Sequence, residues 1–119
     1  MRFLIVDDSG ATRRLVRRVL RHAGHDETDI NEAENGVEAL ASIQLHLPDV
    51  VISYWHMPVM SGIELLRTLH RQGVAVKFGF ISSAQTSEMV AQAELEGALF
   101  LLMKPFTMDS YQQVLLAII

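Results

Sequence analysis

The sequence predicts an α/β fold in which five parallel strands form a sheet with helices on both faces. The main observation is that short apolar runs alternate five times with segments in which apolar residues recur at helical spacing. The run Val50-Val51-Ile52 is also continuously apolar, which is typical of a strand buried on both faces. Since no repeat, low-complexity segment or linker divides the chain, we expect a single domain over residues 1–119.

The first half of the chain predicts two strands and two helices. Residues 2–6 form a buried strand, an arginine-rich helix follows up to Gly24, and the more polar residues 28–33 indicate a strand near the sheet edge. Asn35-Gly36 is a turn signal. The apolar residues of the next helix, which ends before Pro48, are Val37, Leu40, Ala41, Ile43 and Leu45.

The second half repeats this alternation. Residues 49–54 form the clearest strand, and after a loop from Trp55 to Pro58 a third helix ends near Gly73. Residues 74–81 predict a fourth strand, and Thr86 or Ser87 caps a fourth helix that runs to Gly97. Residues 98–103 predict a fifth strand, and Thr107 or Asp109 opens a last helix that runs to Ile119.

Composition argues against several classes of protein. The chain has 10 Lys and Arg against 14 Asp and Glu, a net charge of −4, whereas a nucleic-acid-binding domain is usually basic. It has no cysteine, so disulfides and cysteine-based zinc sites are excluded. No apolar run reaches the roughly 18 residues of a membrane span, and no secretion leader precedes the first strand, so we expect a cytoplasmic protein.

Polar residues follow the ends of four predicted strands. Asp7 and Asp8 follow the first strand and Tyr54 ends the third. Ser82 and Ser83 end the fourth strand, and Lys104 follows the fifth. Because ligand sites of parallel α/β sheets lie beyond the carboxyl ends of the strands, these residues are expected to converge on one site.

These motifs together resemble the response-regulator receiver family of two-component signalling, over essentially the whole chain. They are Asp7-Asp8, the segment DVVISYWHMPVMSG from Asp49 to Gly62, Ser82, and Lys104-Pro105-Phe106. The resemblance implies a doubly wound, flavodoxin-like sheet with the strand order 2-1-3-4-5. It also implies that Asp7 and Asp8 hold Mg²⁺ and that Ser82 and Lys104 contact a phosphoryl group. The switch position on the fifth strand, often aromatic in receivers, falls on Leu101, while Phe100 should point to the opposite face.

The chain departs from the family at the phosphoacceptor aspartate, whose position falls on Tyr54. A phenol has a pKa near 10, so it is a weak nucleophile at neutral pH, and it cannot form an acyl phosphate. It is also a poor Mg²⁺ ligand beside a carboxylate, so Mg²⁺ binding should be weak. Trp55 and His56 lie beside the site in sequence, and His56 is either a pH-sensitive group, a metal ligand or an exposed loop histidine.

Three functions remain open from the sequence. The first is a receiver that is not phosphorylatable at the usual site and acts as a protein-interaction module rather than an enzyme. The second is a normally phosphorylated response regulator with an Asp-to-Tyr substitution, natural or engineered, at position 54. The third is a phosphatase with a strand-one aspartate nucleophile, which the absence of D-x-D spacing disfavours.

The resemblance also implies partners. They are a histidine kinase, a phosphotransfer domain or a downstream effector, with no role for nucleic acid or membrane in this domain. The first helix carries half of all cationic side chains: Arg13, Arg14, Arg17, Arg18 and Arg21. These form either a solvated face or a docking surface for an acidic partner helix. The apolar end from Val114 to Ile119 leaves a homodimer open.

Overall fold

The structure, a computed structural model, describes residues 1–104 and 108–118. Its five strands are parallel and pair in the order β2-β1-β3-β4-β5, as the resemblance implied. The strands are β1 (Phe3–Val6), β2 (Ile30–Ala33), β3 (Val50–Tyr54), β4 (Lys77–Ser82) and β5 (Leu101–Met103). The helices are α1 (Gly10–His22), α2 (Gly36–Leu45), α3 (Gly62–Arg71), α4 (Ser87–Leu95) and α5 (Met108–Ile118). Within the described residues, no helix combines the length and apolarity needed to cross a bilayer.

Two apolar clusters, one on each face of the sheet, form the core. One contains residues of α2, α3 and α4, and its members include Leu66 and Phe80. The other contains residues of α1 and α5, and includes Leu20 and the fully buried Tyr111. Alternate residues of β3 enter different clusters, since Val51 belongs to the first and Ile52 to the second. The continuous apolar run of β3 therefore reflects burial on both faces.

Side-chain caps fix the start of four helices. Ser9, Asn35, Ser61 and Thr86 each accept a hydrogen bond from the backbone N–H three residues later, at 2.9–3.3 Å. Such caps satisfy N–H groups that have no partner inside the helix. Thr86 is one of the two caps predicted for α4. Asn35 lies in the bend after β2 and is the cap of α2, so the predicted turn at Asn35-Gly36 leads directly into this helix.

Several predicted element boundaries were wrong. β4 and β5 begin three residues later than predicted, and residues 27–29 form a short 3₁₀ helix before β2. In α2 the buried residues are Gly36, Ala39 and Ile43, whereas Val37 and Leu45 are exposed. Apolar character alone did not identify the buried face, because this helix is apolar on more than one side. The predicted cap Thr107 lies outside the described residues.

A cluster of ion pairs joins α1 to β2. Glu32 accepts hydrogen bonds from Arg13 Nε and Arg17 Nε, each at 2.8 Å. Partial burial raises the pKa of Glu32, but the hydrogen bonds and charges of the two arginines outweigh it and hold the pKa below its ordinary value. Arg13 and Arg17 are therefore structural residues that attach α1 to the edge strand.

Glu32→Gln is expected to lower the free energy of unfolding at pH 7 by roughly 0.5–1 kcal/mol. Because the folded-state pKa is depressed, the contribution of Glu32 is complete above the ordinary glutamate pKa and is lost as the pH falls through the folded-state value. Thermal melts between pH 7 and pH 3 should show the variant and wild-type curves converging at low pH. Glu34→Gln is the control, because Glu34 is exposed and its Oε1 lies 3.9 Å from Arg13 Nη2, too far for a hydrogen bond. A constant difference at all pH values would contradict the ion-pair origin.

Candidate functional site at the carboxyl edge

The residues predicted to converge do lie at one edge of the sheet. Asp7 directly follows β1, which pairs with β3 through Val6 and Ser53. Tyr54 is the last residue of β3 and pairs with Ile81. Ser82 ends β4, and the amide of Lys104, one residue after β5, donates to the Ser82 carbonyl at 2.6 Å. Three adjacent strand pairs thus bring residues almost a hundred positions apart to one site.

Asp7 is fully buried and interacts with Lys104. Its Oδ1 accepts a hydrogen bond from the Ser9 amide at 2.8 Å. Its Oδ2 lies 3.4 Å from Lys104 Nζ, an ion-pair distance without hydrogen-bond geometry, and has no hydrogen-bond partner among the described residues. Burial raises the pKa of Asp7 above its ordinary range, although the Ser9 amide and the Lys104 ammonium oppose that shift. The ammonium therefore provides the local positive charge that the buried carboxylate requires.

Tyr54 contacts the same ammonium with its ring. Lys104 Nζ lies 4.1 Å from the centroid of the Tyr54 ring, a cation–π contact worth about 0.5–2 kcal/mol. The Tyr54 hydroxyl forms a hydrogen bond with the Ser83 hydroxyl. The half-buried ring also packs against both core clusters. The side chain is thus held at its ring face, its hydroxyl and its edges.

Ser82 and Ser83 have different environments. Ser82 is buried, and its Oγ accepts a hydrogen bond from the Ala84 amide at 3.2 Å. Ser83 is exposed and contacts Tyr54. Sequence reasoning placed the functional hydroxyl at Ser82 and did not assign Ser83 a role. The length of the tyrosine side chain could have indicated this contact, because the Tyr54 hydroxyl extends past the end of β3 to Ser83, the residue that follows β4.

The donor set suits Mg²⁺ poorly. Mg²⁺ sites in proteins commonly use one or two carboxylates together with phosphate and water oxygens. Asp7 already interacts with Lys104, Asp8 is exposed, and Tyr54 offers a phenol. Over residues 1–104 and 108–118, no three His, Cys, Asp or Glu side chains are grouped to hold a metal.

The two site-adjacent residues after β3 point in different directions. His56 is exposed, with its ring 6.3 Å from the Tyr54 ring in an edge-to-face arrangement. Trp55 is buried and packs on Phe80, with 4.7 Å between ring centroids. Trp55 thus belongs to the core and not to the site rim. The amide of Trp55 donates a hydrogen bond to the Ile81 carbonyl, so the two-residue alternation of β3 continues to Trp55. Trp55 therefore lies on the same face of the sheet as Val51.

Phe100 and Leu101, at the start of β5, confirm the predicted facing. Leu101 packs against the cluster of α2, α3 and α4, whereas Phe100 packs against the cluster of α1 and α5. The Phe100 ring lies over Gly79 of β4, where an added Cβ would overlap it. Leu101 is half-buried. The predicted switch position therefore carries a branched aliphatic side chain at the surface beside α4.

One residue near the site was not predicted. Tyr111 of α5 is fully buried, and both burial and the nearby Asp7 carboxylate raise its pKa. A tyrosine within an apolar helix was the signal that could have identified it, because a buried phenol usually lies near polar groups. Tyr111 extends the polar site from Asp7 into the sheet–α5 interface.

The arginines of α1 separate into two groups. Arg13 and Arg17 form ion pairs with Glu32 of β2, and Arg17 also pairs with Glu27, which precedes this strand. Arg14, Arg18 and Arg21 are exposed, and in the described part of the chain no carboxylate lies within 4.0 Å of them. The outer face of α1 therefore carries an exposed basic stripe, which is compatible with a solvated face and with a docking surface.

Comparisons with known proteins agree with this geometry. Residues 3–116 match the response regulator receiver domain family. The chain is 32% identical over 117 residues to chemotaxis protein CheY-3 of Vibrio cholerae, covering 97% of this chain and 88% of that protein. Among solved structures it resembles V. cholerae CheY4 (TM-score 0.87, 30% identity, 99% and 98% of the two chains). It also resembles the receiver domain of NarL from Mycobacterium tuberculosis (TM-score 0.84, 29% identity, 98% and 94%). The chain therefore belongs to the response regulator receiver domain family.

Proposed function

We propose that this receiver acts without phosphorylation at the usual position, as a protein-interaction module in two-component signalling. The observation that carries the proposal is the side chain of Tyr54, which we assign to the phosphoacceptor position. Its ring contacts Lys104 and its hydroxyl bonds to Ser83. A phosphoacceptor must be a free nucleophile, whereas this hydroxyl belongs to a phenol and is hydrogen-bonded to its neighbour Ser83.

The charges support the same function. Phosphoryl transfer depends on cations that stabilise the transferring group, and lysine is a common member of such sites. Here the Lys104 ammonium is engaged by the Asp7 carboxylate and the Tyr54 ring. The cluster is thus internally compensated in the absence of phosphate, and we propose that Mg²⁺ binds weakly if at all.

The output would be binding of a protein partner. We propose that the partner contacts the face formed by α4, β5 and α5 and that the chain performs no enzymatic turnover. A histidine kinase, a phosphotransfer domain or a downstream effector in the cytoplasm fits this role. Neither nucleic acid nor membrane is part of the proposal, since the overall charge is negative.

A second function is favoured by one specific observation. Asp7, Ser82 and Lys104, which we assign to the metal-holding and phosphate-contacting positions of a receiver, lie together at one edge of the sheet. A normally phosphorylated regulator in which Tyr54 replaces aspartate, naturally or by engineering, would have the same residues. The two functions differ in whether restoring the carboxylate restores phosphorylation.

The test is incubation with Mg²⁺ and a small-molecule phosphodonor, read by intact mass. The wild-type chain is expected to gain no phosphoryl group, because position 54 offers no carboxylate. Gain of one acid-stable or acid-labile group by the wild-type chain would overturn the proposal, and Tyr54→Phe would then report whether the phenol is the acceptor. A labile phosphoryl group on Tyr54→Asp alone would favour a site that lacks only its acceptor.

A further inference from the structure

A cleft lined by nitrogen-bearing side chains lies at the end of α1. Its volume is about 380 Å³, and the described residues that line it are Arg18, Arg21 and His22. All three are exposed. Residues three and four apart share one face of a helix, with about 5–6 Å between their Cβ atoms, so the three side chains can reach a single ligand. We call this feature the α1 cleft.

The cations of the α1 cleft have no partner within the described part of the chain. No carboxylate there lies within 4.0 Å of the three side chains, and none of them makes a hydrogen bond. The two acids that follow α1 in the sequence are engaged elsewhere. Asp26 accepts two hydrogen bonds from Thr28, and Glu27 lies 3.7 Å from Arg17.

The end of α1 does not need these cations as caps. Lysine, arginine or histidine in the last turn of a helix often bonds to the terminal carbonyls. Here backbone amides do so, since the Ala23 amide donates to the Val19 and Leu20 carbonyls at 3.1 Å and the Gly24 amide donates to the Arg21 carbonyl at 3.0 Å. Gly24 adopts φ 94°, the conformation that commonly ends a helix in this way. The side chains of the cleft therefore remain available to a ligand.

The lining of the cleft restricts the chemistry of that ligand. Small-molecule sites of about 300–1,000 Å³ are usually lined by apolar and aromatic side chains. None of the three lining residues is apolar, so nothing in the cleft would hold a nucleobase or a hydrocarbon body. Guanidinium groups present paired N–H donors that match the oxygens of phosphate. A hydrophilic ligand with several phosphate groups fits this lining best.

We propose that the α1 cleft binds a linear oligophosphate, either an inorganic chain or the phosphate tail of a nucleotide. Arg18 and Arg21 each donate to phosphate oxygens, and His22 donates one further hydrogen bond from its ring. The site lies on the outer face of α1, away from position 54. It therefore stands apart from the proposed function, and neither depends on the other.

The probe is inorganic tripolyphosphate, titrated into the ¹⁵N-labelled full chain at constant ionic strength without divalent metal. Saturable amide shifts are expected from Arg18 to Gly24. Inorganic phosphate should bind about tenfold more weakly or worse, because it engages fewer of the charged donors. Raising the salt to about 1 M shortens the Debye length to about 3 Å and should abolish binding.

ATP distinguishes the two sources of the phosphates. If it binds as tightly as tripolyphosphate, with shifts on the same residues, the phosphates alone are recognised and an inorganic chain suffices. If it binds more tightly while the shifts remain centred on α1, a nucleotide is the ligand. ATP binding with shifts confined to another surface, together with no response to tripolyphosphate, would overturn the proposal.

Substitutions on one helix locate the site. Arg18→Gln and Arg21→Gln should each weaken tripolyphosphate binding by about tenfold, as expected for the loss of a charged hydrogen bond. Arg14→Gln is the matched control, since it removes the same charge from an exposed position of α1. Arg14 does not line the cleft, and its Nη1 would lie 3.3 Å from a Cβ added at Gly10, at the other end of the helix. Its substitution should have a much smaller effect, and thermal melts check that all three variants are folded.

Three further outcomes would overturn the proposal. Equal losses of affinity in Arg14→Gln and Arg18→Gln would show a diffuse charge effect without a defined site. Shifts that rise with tripolyphosphate without saturating would show nonspecific screening. Tighter binding of an acidic helical peptide to the same residues would make a protein the occupant. The phosphodonor experiment reads only position 54, so failure of this site and failure of the proposed function are distinguishable.

Discussion

Tyr54→Asp is expected to lower the free energy of unfolding by roughly 1–3 kcal/mol when a chelator removes divalent metal. The substitution removes a ring that packs against both core clusters and contacts Lys104, and it removes the hydrogen bond to Ser83. It also introduces a second carboxylate near the buried Asp7. Two charges about 4 Å apart repel by roughly 4 kcal/mol at an effective dielectric of 20, before compensation.

The same variant should respond to Mg²⁺ much more than the wild-type chain. A metal that binds only the folded state at a hundred times its Kd adds about 2.7 kcal/mol to the free energy of unfolding. The wild-type chain has a phenol and not a carboxylate at position 54, and its Lys104 ammonium lies 3.4 Å from Asp7, so its melting temperature should change little. Urea titrations of both proteins in chelator and in Mg²⁺ give the four free energies needed.

Two further substitutions separate the causes. Tyr54→Asn removes the same ring without adding charge, so its difference from Tyr54→Asp measures carboxylate repulsion. Tyr54→Phe keeps the ring over Lys104 and removes only the hydroxyl, at a cost of about 1 kcal/mol. If Tyr54→Asp is more stable than the wild-type chain in chelator, or no less stable than Tyr54→Asn, charge repulsion is not a feature of this site.

The strand order and the convergence of the site could be anticipated from the sequence. Alternating strands and helices restrict the chain to a parallel sheet, and the motif resemblance then gives the order of its strands. Because the side chains that end parallel strands share one edge, Asp7, Tyr54 and Lys104 could be placed together without coordinates. Sequence position was enough for this part of the site.

The contacts within the site depended on side-chain lengths and directions that spacing does not specify. Tyr54 bonds to Ser83 and not Ser82, because its hydroxyl extends beyond the strand end. Trp55 enters the core because the pleat of β3 continues past its last residue. In α2 the apolar residues Val37 and Leu45 are exposed, whereas Ala39 and Ile43 are buried. Packing against neighbouring elements decides which of these contacts form.

Gly62→Ala is expected to be among the most destabilising small substitutions in the chain, at about 2–4 kcal/mol. Gly62 begins α3, and its amide donates to the Trp55 carbonyl at 2.8 Å. An added Cβ would lie 2.5 Å from the Tyr54 carbonyl oxygen and 3.0 Å from the Phe80 ring. Neither neighbour can yield easily, because the first is backbone at the end of β3 and the second is buried in the core.

Gly10→Ala provides a matched control for this prediction. Gly10 also begins a helix after a serine cap, but its nearest neighbour would be Arg14 Nη1 at 3.3 Å, the end of a flexible side chain. Gly10→Ala should therefore be neutral or stabilising by up to about 1 kcal/mol, because alanine restricts the unfolded chain. If urea titrations show that the two substitutions lower the free energy of unfolding equally, the loss comes from the position at the start of a helix and not from the close contact. A large effect of Gly62→Ala alone would show that the close approach of α3 to β3 holds the backbone of Tyr54 in place.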